Sequence, residues 1–203
     1  RAVHEVEGIE RIRLGSLEPR IITEEFAEAL ANLPKVCPHF HLSLQSGCDA
    51  TLKRMNRRYD AAEYEEKCHI LRKYFKNPAL TTDVIVGFAG ETEEDFRESK
   101  DFVDRIDFYE THIFKYSKRE GTRAATMPNQ VDEQEKTRRS NIMLEMNVEK
   151  MKKYEQLWMG QDVEVLFEDI MEKDGIRYAT GHTKEYLRMM YPCGDEPEDN
   201  WIN

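Results

Sequence analysis

The 203-residue sequence has neither a long apolar run nor clustered cysteines. No stretch approaches the ~20 consecutive apolar residues that a membrane-spanning helix needs, and no signal-peptide pattern opens the chain. The four cysteines, Cys37, Cys48, Cys68 and Cys193, match no zinc or iron–sulfur spacing and are too scattered for a disulfide framework. The sequence therefore predicts a cytoplasmic protein with reduced thiols, no membrane contact and no metal site made by its own residues.

Excess positive charge is also missing. The formal net charge is −10, which argues against a general nucleic-acid binder. From Gly160 onward 11 acidic residues face 4 basic ones, while the remainder carries 29 acidic and 26 basic residues. A local basic face is therefore compatible with the first part of the chain. Position 1 is Arg rather than Met, and we expect the chain to begin inside a longer protein.

The first part of the chain repeats a β-rich run followed by an amphipathic helix. The β-rich runs are Ile9–Leu17, His39–Gln45, Leu80–Gly87 and Phe108–Ser117. Such alternation indicates parallel strands with helical crossovers, and four successive units favour part of a (β/α) barrel. In such barrels, ligands bind at the carboxyl ends of the strands, where this sequence is polar or glycine-rich.

A long charged helix and a short β-rich segment complete the chain. The helix is predicted from Asp132 to Trp158 and is followed by Gly160 and three β-rich runs. We expect an α/β partial barrel over residues 1–131, a linking helix over 132–159, and a small all-β module over 160–203. Three strands cannot close a barrel by themselves, so we expect this module to be incomplete.

Four segments carry a more specific signal than periodicity. They are RIRLGSLEP (Arg11–Pro19), HLSLQSGCDATLKRMNRRY (His41–Tyr59), TDVIVGFAGETEEDF (Thr82–Phe96) and FKYSKREGT (Phe114–Thr122). In this order and at these distances they closely resemble the radical S-adenosylmethionine (SAM) methylthiotransferases, and most of all the subgroup acting on threonylcarbamoyladenosine in tRNA. The C-terminal segments GQDVEVLFE and GHTKEYLRM resemble the family's TRAM domain, a small RNA-binding β-barrel.

The resemblance implies a partial barrel of the radical SAM type and a set of SAM-contacting positions. By motif position these are Ser16, Gln45, Arg57, Asp83, Ile85 and Gly87. Asp83 would accept hydrogen bonds from ribose hydroxyls, and Arg57 would pair with the methionine carboxylate. Arg57 also lies in the charge run Lys53–Arg58, and such runs usually form a solvated helix face.

The same resemblance implies an RNA partner. Arg54 and Arg58 border the predicted barrel mouth, and Lys184, Tyr186 and Arg188 offer charge and a stacking ring in the TRAM-like module. The partner would be the anticodon loop of tRNA. The alternative for the last three residues is exposed decoration of an acidic module.

The chemistry implied by the family is methylthiolation of adenine C2, next to the anticodon. It uses SAM, two [4Fe–4S] clusters and an electron donor such as flavodoxin or ferredoxin. The cluster cysteines of the family have no counterpart here, so we expect this fragment to hold no cluster and to be inactive alone. Two other hypotheses remain open: a radical SAM oxidoreductase of the coproporphyrinogen-oxidase type, which a TRAM-like tail disfavours, and a non-catalytic RNA-binding module.

Overall fold

The computed structural model of the protein describes residues 1–197 and 201–202. The helices are α1 (Glu24–Ala31), α2 (Asp49–Arg54), α3 (Ala61–Tyr74), α4 (Glu93–Ile106) and α5 (Glu133–Gln156), with 3-10 turns at Ala2–Glu5, Pro19–Ile21 and Arg123–Thr126. The strands are β1 (His39–His41), β2 (Ala79–Val86), β3 (Glu110–Lys115), β4 (Val165–Lys173), β5 (Ile176–Thr183) and β6 (Arg188–Pro192). Among the described residues, no helix combines the length and the hydropathy that crossing a bilayer requires.

The first sheet is parallel and runs in the order β1-β2-β3. Its three strands are joined by helical crossovers, as strand–helix alternation predicts. Phe40, Leu42 and Leu44 are fully buried, so the alternating apolar residues of the second run face the helices. The opposite face of the sheet carries the polar residues of the same strands and forms the barrel lumen.

The first predicted strand is largely absent. Over Ile9–Leu17 the structure forms two isolated parallel bridges, Ile12 to Val36 and Leu17 to Leu42, instead of a continuous strand. This segment lies at the sheet edge, and within the described residues nothing pairs with its outer side. Arg11 and Arg13 of the segment bind the C-terminal module instead. The strand prediction is therefore wrong here in extent, although the segment does border the sheet.

Local sequence signals fix the helix starts. Asp60 caps α3 by accepting a hydrogen bond from the Glu63 amide at 2.8 Å. Thr92 and Asp95 form a reciprocal capping box at the start of α4. The Thr92 cap places α4 directly after the loop that leaves β2, whereas the Asp60 cap starts α3 after α2.

The second sheet is antiparallel, in the order β4-β5-β6. It contacts the parallel sheet at the amino ends of the strands through a buried cluster of Ala79, Tyr109, Tyr154 and Leu187. The observed architecture, a partial parallel barrel followed by a small β module, confirms the fold class that the sequence predicts.

Candidate ligand cleft at the strand ends

The luminal face of the parallel sheet opens into a cleft at the carboxyl ends of its strands. We call it the upper cleft; its volume is about 550 Å³. Its lining residues are Gln45, Asp83, Ile85, Phe114, Lys115, Tyr116, Ser117, Arg119, Thr122 and Ala124. The volume lies within the ~300–1,000 Å³ range of small-molecule sites, and the position is the one that barrel enzymes use. Three of the sequence-predicted SAM positions, Gln45, Asp83 and Ile85, therefore share one cleft.

Gln45 has an unusual backbone conformation. Its φ is 71°, in the left-handed region that a non-glycine residue rarely adopts. The conformation is held because the Gln45 amide donates to the Asp83 carbonyl at 2.8 Å and the Gln45 carbonyl accepts from the Ile85 amide at 2.9 Å. Backbone strain of this kind concentrates at ligand sites, where it directs a side chain.

Asp83 lies beside histidines on both adjacent strands and contacts the one on β1. His41 Nε2 lies 3.3 Å from Asp83 Oδ2, and His41 Nδ1 is 3.0 Å from Thr81 Oγ1. The His41 and His112 rings stack with centroids 5.6 Å apart. Ligand-type atoms of His41, Asp83 and His112 all lie within 4.8 Å of one another, a set that could hold a divalent cation. Sequence analysis identified Asp83. The alternation of the second β-rich run places His41 on its polar face, where a lone histidine is more often structural than catalytic, and no sequence signal singled out His112.

A second hollow, the lower cleft, lies toward the amino ends of the same strands. Its volume is about 470 Å³, and Ser16, His39, Asp83 and Tyr186 are among its lining residues. Among the predicted SAM positions, Ser16 and Asp83 line the lower cleft, whereas Gln45 and Ile85 line only the upper cleft. Burial, with nearby Arg13 and the histidines 41, 112 and 182, lowers the pKa of His39 to about 3. The lower cleft therefore holds a neutral imidazole at physiological pH.

Gly87 is enclosed by a buried ion pair from α5. The Gly87 amide donates to Glu91 Oε1 at 2.8 Å, and Arg139 Nη1 donates to the same oxygen at 2.6 Å. Gly87 has a φ of 72°, and a Cβ there would overlap Lys136 Cγ. Burial raises the pKa of Glu91, against the opposing effects of the Gly87 amide and Arg139. Gly87 shapes the turn beside the upper cleft but does not line it.

The arginines of α2 and the loop after it differ in their surroundings. Arg54 Nη2 binds Asp95 Oδ2 at 2.6 Å and Thr51 Oγ1 at 2.8 Å, which ties α2 to the capping box of α4. Arg57 and Arg58 are exposed and line neither cleft. The structure therefore does not bring Arg57 together with Gln45 and Asp83, and it gives Arg54 an internal partner.

The three residues of the C-terminal module that were predicted to contact RNA also differ in their surroundings. The Tyr186 ring stacks on His182 with centroids 4.6 Å apart and carries the Arg13 guanidinium at 4.5 Å, so it is packed at the junction with the barrel. Lys184 lies 3.7 Å from Glu164. Arg188 is exposed.

The cysteines do not fit an iron–sulfur cluster. All four are buried, free thiols, in separate parts of the fold. Burial raises the pKa of Cys48 to about 11 and that of Cys68 to about 12, which disfavours the thiolate that binds iron.

The partial parallel barrel, with a cleft at the carboxyl ends of its strands, is an architecture that can be compared with known families. The radical SAM superfamily model matches residues 1–103, and the chain belongs to that superfamily. It is 42% identical over 96% of its length to a tRNA-2-methylthio-N(6)-dimethylallyladenosine synthase of Thermoanaerobacter sp. (strain X514). It is 37% identical over 92% of its length to the threonylcarbamoyladenosine tRNA methylthiotransferase MtaB of Bacillus subtilis (strain 168).

The chain spans about 41% of the first of these relatives and 42% of the second. Among solved structures, coproporphyrinogen III oxidase (HemN) from Escherichia coli matches with a TM-score of 0.54 at 15% identity, covering 71% of this chain and 32% of that one. At this identity the likeness to HemN concerns the fold alone.

Proposed function

We propose that this chain is part of a tRNA methylthiotransferase that acts on N6-threonylcarbamoyladenosine next to the anticodon. The observation that carries the proposal is the upper cleft, where Gln45, Asp83 and Ile85 meet at the strand ends of a radical SAM fold. Relatives named for tRNA methylthiolation support the reaction class. The threonylcarbamoyl substrate is supported by the motifs RIRLGSLEP and QSGCD and by the similarity to MtaB.

The residues of the upper cleft fit SAM. Asp83 is an acceptor that His41 holds in place, so it can receive hydrogen bonds from ribose hydroxyls without reorganising. Ile85 offers an apolar edge for adenine, and Gln45 offers an amide on a fixed backbone. When bound, SAM supplies hydrogen-abstracting radical chemistry and the methyl group. The contribution of this chain is to orient the ligand and to separate its reactive end from water.

In this proposal the two [4Fe–4S] clusters are not bound by this chain, since its thiols are buried and separate. Their ligands, and the surface that receives electrons from a flavodoxin or ferredoxin, would come from other parts of the protein. Ser16, Arg57 and Gly87 remain proposed SAM positions by motif. Arg57 lies outside the cleft, so its pairing with the methionine carboxylate requires α2 or its loop to move.

The substrate can be tested in cells. We expect deletion of the gene encoding this chain to remove the 2-methylthio group from threonylcarbamoyladenosine in total tRNA, as measured by mass spectrometry of nucleosides. The dimethylallyladenosine derivative should keep its 2-methylthio group. Loss of the second modification instead would assign the substrate named for the Thermoanaerobacter relative. If both nucleosides are unchanged, the proposed function is wrong.

A further inference from the structure

A basic loop follows β3 and borders the upper cleft. Residues 115–123 read KYSKREGTR and contain four cations and one carboxylate, in a chain whose net charge is −10. We call Lys115, Lys118, Arg119 and Arg123 the basic rim. Such a local concentration of positive charge in an acidic protein requires an explanation, because it opposes the charge of the whole molecule.

The cations of the basic rim are exposed, and Lys115 Nζ donates a hydrogen bond to the Thr137 hydroxyl at 3.3 Å. Within residues 1–197 and 201–202, none of the four forms a salt bridge. By contrast, Arg54 is paired with Asp95, Arg138 with Glu93 and Glu135, and Arg139 with Glu91. Arg54, Arg138 and Arg139 are therefore paired and hold helices together, whereas the four rim cations form no salt bridge within the described residues. Arg57 and Arg58 are also exposed, but they line neither cleft.

The loop that carries these cations has a defined conformation. The Thr122 hydroxyl donates to the Arg119 carbonyl at 2.7 Å, and the Gln130 amide donates to the carbonyls of Ala124 and Met127 at 3.0 and 2.9 Å. At its start, the Tyr116 ring packs edge-on against Phe88, with centroids 4.9 Å apart. The positive groups are thus presented on an ordered turn, which reduces the entropy cost of binding a ligand.

The rim is continuous with the ligand cleft. Lys115 and Arg119 line the upper cleft together with Gln45 and Asp83. Arg123 lines a neighbouring hollow with Lys53. Phe114, 52% exposed, lies in the upper cleft and presents an aromatic ring on which an unstacked base can pack.

We infer that the basic rim binds the phosphates of a single-stranded RNA loop and that one base of this loop enters the upper cleft. The chemistry that fits is a polyanion with a base free to leave the stack, rather than a duplex, whose bases cannot reach Phe114. This inference rests on the proposed function and assigns the RNA contact to residues other than Arg54. It also explains how a protein with a net charge of −10 can bind a polyanion.

Fluorescence anisotropy with a labelled anticodon stem-loop RNA, measured over a series of salt concentrations, tests the inference on the chain itself. We expect Lys118→Ala/Arg119→Ala to weaken binding. The slope of log K against log salt should become shallower by about 1.4, because each phosphate that a cation neutralises contributes ~0.7 to the slope on single-stranded RNA.

The matched control is Lys76→Ala/Lys152→Ala. It also removes two positive charges, from lysines that are exposed and that form no salt bridge within the described part of the chain. Neither lysine lines the upper cleft or belongs to the basic rim. This variant should leave the slope unchanged.

A third variant separates the rim from α2. Arg54→Ala should lower the melting temperature, because Asp95 loses its partner, but should leave the salt slope unchanged.

The outcomes separate the two proposals. If the unmutated chain binds the stem-loop and the rim variant retains its slope, the rim inference is wrong while the proposed function stands. If the unmutated chain does not bind the stem-loop, the rim inference is also wrong. The nucleoside measurement in cells then decides the proposed function independently.

Discussion

Asp83 is the residue on which the candidate site depends most. Its carboxylate lies between His41 on β1 and His112 on β3, and it reaches both clefts. A hydrogen-bond acceptor in this position is held before any ligand arrives, so the proposed interaction with ribose hydroxyls would cost little reorganisation. This preorganised carboxylate is the feature of the cleft that most supports the proposed SAM site.

We predict that Asp83→Asn weakens SAM binding to the chain about 10- to 150-fold, because hydrogen bonds to a charged group contribute ~1.5–3 kcal/mol. Isothermal titration calorimetry measures the affinity. Glu110→Gln is the matched control, since it removes one carboxylate from the same sheet face in the lower cleft. An equal loss in both variants would mean that general charge, and not Asp83, determines the affinity.

His39 should make the stability of the folded protein depend on pH. Its folded-state pKa of about 3 is lowered mainly by burial, so the folded protein excludes a proton that the unfolded chain accepts near pH 6.5. The stability that the protein gains by keeping His39 neutral is fully present above pH 6.5. It is lost as the pH falls from 6.5 toward the folded-state pKa of about 3. Between pH 7.5 and 5.5, the unmutated protein should lose about 1.4 kcal/mol more stability than His39→Gln.

Urea unfolding at the two pH values measures this difference. If His39→Gln shows the same pH dependence as the unmutated protein, the imidazole is not excluded from protonation in the fold.

At this scale, motif position identified Gln45, Asp83 and Ile85 as candidate ligand residues. The three residues line one cleft, because strand alternation puts them on the same face of the sheet. Alternation could not reveal that Arg54 is paired, because its partner Asp95 is 41 residues away and is set by helix packing. Motif position places Arg57 near SAM, whereas the structure leaves it exposed, because it follows the end of α2.

Among the elements, α5 does more than link two modules. Its first turns supply Lys136 and Arg139, which enclose the Gly87 turn beside the upper cleft. Arg139 and Glu91 have side chains 5% and 2% exposed, so neither charge has water as an alternative partner. A helix predicted as a linker therefore fixes the loop that follows β2.

We predict that Arg139→Met destabilises the protein by about 3–5 kcal/mol, because it leaves the Glu91 carboxylate buried without its cation. Arg138→Met is the matched control. Arg138 is the adjacent residue and also binds Glu135, but its side chain is 46% exposed, so water can replace the cation and the loss of stability should be far smaller. Urea denaturation measures both.

A double variant tests the cause of this destabilisation. Glu91→Gln/Arg139→Met removes both charges of the buried pair and should recover part of the stability. If it is no more stable than Arg139→Met, an unpaired carboxylate is not the cause.

The long C-terminal helix was predicted well. Helix α5 runs from Glu133 to Gln156, close to the predicted range from Asp132 to Trp158. The first strand was predicted over Ile9–Leu17 from its β-rich composition, but its arginine side chains bind backbone carbonyls of the second sheet. Arg11 donates to the His182 carbonyl at 2.8 Å, and Arg13 donates to the Thr183 carbonyl at 3.2 Å. Each contact joins residues about 170 positions apart in the sequence, so it could not be predicted from the local pattern.

In the molecule as a whole, the two sheets meet at the amino ends of the parallel strands. Leu187, in the turn between β5 and β6, is buried with Tyr109 and Tyr154, and Tyr186 of the same turn lines the lower cleft. The basic rim lies at the other end, where the strands finish. The C-terminal module is therefore separated from the proposed rim by the length of the sheet, and Arg188 would have to contact a different part of a bound RNA.

The distribution of the four cysteines over the molecule determines whether the chain can supply cluster ligands. They lie in separate parts of the fold, and the buried thiols of Cys48 and Cys68 have raised pKa values, so joining them around one cluster would require the core to open. We predict that anaerobic reconstitution with iron and sulfide gives no stoichiometric cluster, measured by iron content and by visible charge-transfer absorption. The unfolded chain in urea is the control, because its thiols are free to meet and it should take up iron nonspecifically. A stoichiometric cluster in the folded chain would contradict the prediction and would mean that these cysteines can be brought together.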